Sequence, residues 1–258
     1  MSNYHFEVSV ISRGKGRSLA KSLNYITGQR VKDAYLEKTY YSKRRDAIFT
    51  KVYLPSNAPP QYNDLQFLCD EIEKSERRYD ARTAREFKCS LPNELAVDEL
   101  EKIVSDFISD NFISQGICAV AAIHEGRNEA APEKNNPHVH IIIVTRTVDE
   151  NGFSRKKFRD FDKRDKVRLW RKRWEQALNR AYERNKLPKR VSCESLEVQG
   201  VIDIKPTIHI SRIDWQKEKR GERTLAGETK RAIKAKNEEI LKVREWKKKR
   251  QNSRYRTR

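Results

Sequence analysis

Cysteine is scarce and scattered. Cys69, Cys89, Cys118 and Cys193 form no Cys-x-x-Cys pair, so neither a cysteine zinc frame nor a disulfide scaffold is expected; they read as reduced cytosolic thiols. Long apolar runs are missing as well. No stretch of about 18 apolar residues occurs, which excludes a membrane-spanning helix, and the N-terminus opens into a polar-apolar alternation rather than a signal peptide. Hydrophobic residues make up only 36% of the 258. That is lean for one sizeable domain, so part of the chain should bury little. Acidic residues are outnumbered, 37 against 56 Lys+Arg, for a formal net charge of +19 and a pI near 9.8. Such an excess suits a polyanion, since each phosphate contact releases counterions and long-range attraction speeds encounter.

Apolar spacing supplies the elements. His5 to Ile11 alternates as a strand, with Phe6, Val8 and Val10 on one face. Ser18 and Gly28 bracket a short helix carrying Leu19, Leu23 and Tyr25. A strand is expected over Phe49–Leu54, a polar helix over 63–80, and a strand over Arg85–Leu91 with Phe87, Cys89 and Leu91 inward. Helical spacing returns over Val97–Phe112, and again over Asp165–Glu183 through Val167, Trp170, Trp174, Leu178 and Tyr182. Strands and helices segregate more than they alternate, which favours an α+β fold with a largely antiparallel central sheet and helices packed on one face. Residues 1–212 form the expected main domain. Residues 213–258 hold 17 Lys+Arg and 7 Asp+Glu, and read as a basic helical tail whose alternative is a merely solvated face.

The densest chemical signal is Asn136-Pro137-His138-Val139-His140 at the head of an apolar run. Successive strand side chains alternate, so His138 and His140 share a face. His124 ends the preceding apolar segment, Ile117–Ile123, and an antiparallel pairing would bring it over the pair. Three imidazoles on rigid strands suit a metal; two polar residues at a strand mouth is the plainer alternative. A metal on neutral imidazoles keeps open positions for a phosphate oxygen. Among ten tyrosines, Tyr25 stands out as a candidate nucleophile, because it lies near the end of the short helix and follows the cationic cluster Arg13, Lys15 and Arg17; a structural tyrosine is the plainer alternative.

Several motifs carry a family resemblance. Ile11–Ser18 with Asn24-Tyr25-Ile26-Thr27-Gly28, then Ala84-Arg85-Glu86-Phe87 before Leu91-Pro92, then Ile123-His124 and Asn136–His140, resemble in order the motifs of the MobA/MobL plasmid relaxases. Trp170–Trp174 and Gln199-Gly200 through Pro206–His209 resemble the later part of that domain. The resemblance implies an HUH-class fold and a single-strand endonuclease and transesterase. Tyr25 would attack the phosphodiester at a plasmid origin of transfer, forming a 5′-phosphotyrosyl link and later rejoining ends. His124, His138 and His140 would hold Mg²⁺ or Mn²⁺, and Arg13, Lys15 and Arg17 would bind the strand. Glu86 would orient His124 or assist proton removal from Tyr25; a surface ion pair with Arg85 or Lys88 is its alternative. The implied partners are single-stranded plasmid DNA, accessory DNA-binding proteins and a type IV coupling protein, around a monomer in the bacterial cytoplasm. His5 and His209 are expected to be non-ligands.

Two features depart from the family pattern. The loop from His124 to Pro137 is longer and more charged, and nothing within 258 residues has room for a helicase or primase. The chain reads as a compact relaxase or as the relaxase part of a longer protein. Two rival functions remain. An HUH replication initiator or transposase would place its tyrosine after the histidine pair, where Tyr182 lies among core residues. A DNA-binding protein with a structural zinc would need cysteines near the pair, and none is there.

Overall fold

A computed structural model describes residues 4–42, 46–127 and 135–255. Its strands are β1 (Phe6–Ser12), β2 (Val31–Asp33), β3 (Lys38–Tyr40), β4 (Ala47–Tyr53), β5 (Arg82–Ser90), β6 (Ala119–His124), β7 (His138–Val144), β8 (Arg146–Asp149) and β9 (Gly152–Lys157). The helices are α1 (Leu19–Thr27), α2 (Leu65–Ser75), α3 (Val97–Asn111), α4 (Arg164–Arg184), α5 (Arg212–Lys219) and α6 (Leu225–Tyr255). Five strands form one antiparallel sheet in the order β1-β5-β7-β6-β4. The apolar content of β6 and β7 puts them inside it, since a strand covered on both faces needs no polar alternation. Two small hairpins, β2-β3 and β8-β9, stand outside the central sheet. The mixed α+β architecture expected from the sequence is present.

One face of the sheet is an aromatic core. Phe6 and Phe87 meet edge to face at 5.9 Å between ring centroids, and α3 and α4 cover them through Phe107, Trp170 and Trp174. Each such pair adds about 0.5–1.5 kcal/mol beyond its burial. Trp174 also donates its indole N–H to Ser90 O at 3.3 Å, so its polar edge is satisfied. Val167, expected in this seam, is instead 36% exposed, while Ala177 and Ala181 lie in the contact. The seam on α4 therefore begins at Trp170, one turn later than apolar spacing suggests. The helices are not confined to this face: α1 packs against β6 and β4, with its Tyr25 over the histidines of the other face.

Local chemistry fixes α1 at both ends. Ser18 accepts the backbone N–H of Lys21 as N-cap. Gly28 ends the helix at φ 72°, a left-handed conformation that costs glycine little, and donates its N–H to Asn24 O. Leu19, Leu23 and Ile26 are buried, which leaves Tyr25 on the outer side.

The chain divides into two compact units, Met1–Cys193 and Glu194–Arg258. The tail helices begin at Arg212, close to the expected position 213, but the unit that holds them starts earlier. Asn237 explains why: it accepts the backbone N–H of Lys205 at 3.1 Å and donates to Lys205 O at 2.7 Å, while Arg244 pairs with Asp203. The segment after Cys193 is thereby tied to α6. None of the described helices is long and apolar enough to cross a membrane. Cys69, Cys89 and Cys118 are buried free thiols.

Candidate active site

The register of β6 against β7 assembles the histidines. His124 lies directly opposite His138, and Ala122 opposite His140, so three imidazoles converge at one end of the sheet. Their ring centroids are 4.9–5.3 Å apart, and one ring nitrogen from each lies within 4.8 Å of the others. Each ring is anchored through its remaining nitrogen. His124 Nε2 hydrogen-bonds Ile26 O at 2.7 Å, His138 Nδ1 hydrogen-bonds Asn136 O at 2.8 Å, and His140 Nδ1 hydrogen-bonds Glu86 Oε1 at 3.0 Å. Those acceptors place a proton on the bonded nitrogen and the lone pair on the other, which is the tautomer a metal requires.

The donor set fits a cation. The buried Nε2 of His140 makes no hydrogen bond within the described structure, and such a group is costly unless something binds it. Burial holds His138 well below the usual histidine range, at about 4, against the opposing pull of its bond to Asn136. A neutral ring is the form that coordinates. Three histidines can therefore hold a metal ion here.

The loop between β6 and β7 is pinned at its base. Asn136 donates its N–H to Gly126 O at 3.0 Å. Gly126 has φ +60°, and a Cβ there would sit 2.3 Å from Asn136 O, the atom that accepts from His138. Glycine is required by that approach. Residues 128–134 of the loop, whose length departs from the family pattern, lie outside the described residues.

Tyr25 stands beside this cluster. Its ring is 5.7 Å from that of His140 and 6.2 Å from that of His124, edge to face in both cases. The side chain remains 47% exposed, so a strand can reach it. An open cleft beside it is lined by Gly16, Arg17, Lys21, Ser22 and Glu86. Tyr182, by contrast, is buried in the core.

Glu86 is placed differently from expectation. Its partners are His140 and Arg17; His124 is held by Ile26 O instead. In the β5-β7 ladder Lys88 is opposite His140, so Glu86 reaches the ring as a diagonal neighbour. The surface alternative does not hold either, since Arg85 pairs with Asp162. Burial pushes the Glu86 carboxyl up, but hydrogen bonds from His140 and Arg17 outweigh it and hold it below its ordinary value.

The cationic cluster also separates. Arg13, whose side chain is only 7% exposed, forks onto buried Glu73, donates to Glu76 O at 2.9 Å and stacks on Tyr35. It is committed inside the fold and faces no strand. Arg17 donates to Ser9 Oγ at 2.8 Å and to Val10 O at 3.2 Å as well as to Glu86. Lys15 is exposed. His5 pairs with Glu7 at 3.6 Å, and His209 is exposed in the other unit. Sequence reasoning missed Arg17 as a clamp and Ile26 O as an anchor, because both depend on contacts across distant segments.

The fold is thus an antiparallel sheet with three anchored histidines and a tyrosine gathered at one end. Residues 17–220 match the MobA/MobL family, and the chain belongs to that family. The "Probable mobilization protein MobA" of Bifidobacterium longum is 32% identical over 150 residues, which is 58% of this chain and 26% of that protein. The conjugal transfer protein TraA of Agrobacterium fabrum is 27% identical over 237 residues, 80% of this chain and 21% of that protein. The chain thus spans about a quarter of the length of these curated relatives. A structure solved for the molecular basis of vancomycin resistance transfer in Staphylococcus aureus superposes with a TM-score of 0.68 at 26% identity, covering 75% of this chain and all of that one.

Proposed function

We propose that this chain nicks one strand of plasmid DNA at an origin of transfer and rejoins it, starting conjugative mobilisation. The observation that carries this reading is the seat of Tyr25, 5.7 Å from His140 at ring centroids on an accessible surface. In the forward step the Tyr25 Oη–P bond forms and the P–O3′ bond breaks. The phenolic proton leaves to a base, and the departing 3′-oxygen takes up a proton to become a free hydroxyl. The ester bond is exchanged rather than hydrolysed, so a 3′-hydroxyl can reverse the step.

His124, His138 and His140 would hold Mg²⁺ or Mn²⁺, which supplies Lewis-acid neutralisation of the scissile phosphate. Glu86 fixes the plane and tautomer of His140, and Arg17 fixes Glu86. Lys15 and Lys21 lie where a strand entering the cleft would meet positive charge. The buried Arg13 has no part in that contact. Accessory and coupling proteins belong to the same proposal.

A labelled single strand spanning candidate origins should form a covalent protein adduct with Mn²⁺ and none with EDTA. Tyr25→Phe should abolish the adduct; its persistence would remove Tyr25 from the reaction. An initiator-type enzyme would instead lose its adduct with a tyrosine beyond the histidine pair.

A further inference from the structure

The histidine cluster is set in more positive charge than a bare cation site favours. Its rings are neutral, and the carboxylate beside it, Glu86, is already divided between His140 and Arg17. On the same face of β5 stands Lys88. Successive strand side chains alternate, so Phe87 and Cys89 enter the aromatic core while Glu86 and Lys88 share the histidine face. Lys88 is directly opposite His140 across the β5-β7 ladder, and Ser90 is opposite His138; opposed Cα atoms lie about 4.5–5.5 Å apart. Lys88 is two residues beyond Glu86, roughly 7 Å along the strand. It therefore flanks the cluster on the side away from the cleft that Glu86 lines.

Lys88 is exposed, and among the described residues its ammonium makes no ion pair or hydrogen bond. The carboxylate opposite it on β1 is Glu7, which lies 3.6 Å from His5 instead. The charge of Lys88 still reaches the cluster: burial does most to keep His138 neutral, and Lys88 adds to it. Such an ammonium weakens the hold of these rings on a cation, by about sixfold for charges of +1 and +2 roughly 8 Å apart in a water-like medium. An anion bound against both charges reverses that repulsion, and phosphate oxygens suit a lysine as a compact point charge. Arg17 is not available for this contact, since Ser9, Val10 and Glu86 hold it.

We propose that Lys88 holds a non-bridging oxygen of the phosphate presented to Tyr25, from the side of the histidines opposite the cleft. The same ammonium then weakens the bare cation site and strengthens the hold on the strand. The identity of the anion rests on the nicking reading. The test uses the full chain carrying Tyr25→Phe, which leaves a strand uncut, and a short oligothymidine. Calorimetry reads Mn²⁺ affinity without DNA, and salt titration in EDTA reads strand affinity. Lys88→Gln should tighten Mn²⁺ about sixfold. It should also flatten the log–log salt slope for oligothymidine by about 0.7, one phosphate on a single strand. The parent would then lose ~2.6-fold more affinity than the variant between 50 and 200 mM salt. Lys88→Arg should restore the slope, and Glu7→Gln should not flatten it. A residue with a structural role alone would lower both affinities together, and a merely solvated one would move neither; either result overturns the proposal. So does a flattened slope with Mn²⁺ affinity unmoved, which would place Lys88 on a phosphate remote from the cation. Should the wild-type chain form no covalent adduct with a labelled strand, the nicking reading fails, while the two titrations, which need no reaction, still decide the part of Lys88.

Discussion

The two units carry the same sign of charge in opposite ways. In Met1–Cys193 cations are matched to carboxylates inside the fold: Arg13 with Glu73, Arg17 with Glu86, Arg146 and Lys157 with Glu76. In Glu194–Arg258 the buried hydrophobic residue, among those described, is Ile204 alone, and residues 213–258 hold 17 Lys+Arg against 7 Asp+Glu. A unit with a core can afford to desolvate charge, because paired carboxylates replace the water. A unit without one keeps its charge in water, available to a polyanion. Positive residues near the site are therefore often parts of its scaffold, whereas ten of the 17 cations in residues 213–258 exceed the acidic residues there.

The comparison breaks most visibly at the histidines. His140→Ala should abolish high-affinity Mn²⁺ binding by calorimetry and adduct formation with it; full retention of both would show that the cation sits elsewhere. Glu86→Gln should act more mildly, weakening Mn²⁺ about 10–100-fold, because the ring loses its charged anchor but keeps its nitrogen. If Glu86→Gln left affinity unchanged, the carboxylate would serve Arg17 alone.

The sequence discloses this site unevenly, for reasons that can be located. His138 and His140 share a face through the two-residue period of a strand, and His124 follows from one antiparallel pairing, so all three are legible. Ser18 and Gly28 announce the ends of α1 because capping is local chemistry. The partner of Glu86 is hidden: it depends on the lateral register that sets Lys88 opposite His140. The fate of Arg13 is hidden for the same reason, since Glu73 lies sixty residues away in sequence. The β2-β3 and β8-β9 hairpins, with three to six mostly polar residues per strand, are too short to show a period. The Asn237 bridge to Lys205 moves the start of the tail unit back from 213 to 194.

That boundary changes how the tail should be tested. A cut after residue 212 removes α6 from under the segment it holds, so the cleaner truncation ends at Cys193. It should lower affinity for DNA of any sequence and flatten the salt slope, by about one for each phosphate that the tail neutralises. Adduct formation on a short strand at low salt should change far less than binding does. Equal loss of both would mean that the tail contributes to the chemistry and not only to charge.

The smallest effect is expected at Glu218, which joins α5 to α6. It accepts the backbone N–H of Thr224 at 2.7 Å and pairs with Arg231, and these partners, Arg231 first, hold its carboxyl down at about 2. A depressed carboxyl stabilises the fold above its unfolded value, near 4.5, and loses that contribution as pH falls toward its folded value. Helix content of Glu194–Arg258 should therefore decline between about pH 4.5 and pH 2 by far-UV circular dichroism. Glu218→Gln should start lower and run flatter through that window. Because this unit lacks a core, one turn of hydrogen bonds is a larger share of what holds it than any ion pair is in the other unit. A titration unaltered by Glu218→Gln would mean that α6 keeps its helix by local propensity alone.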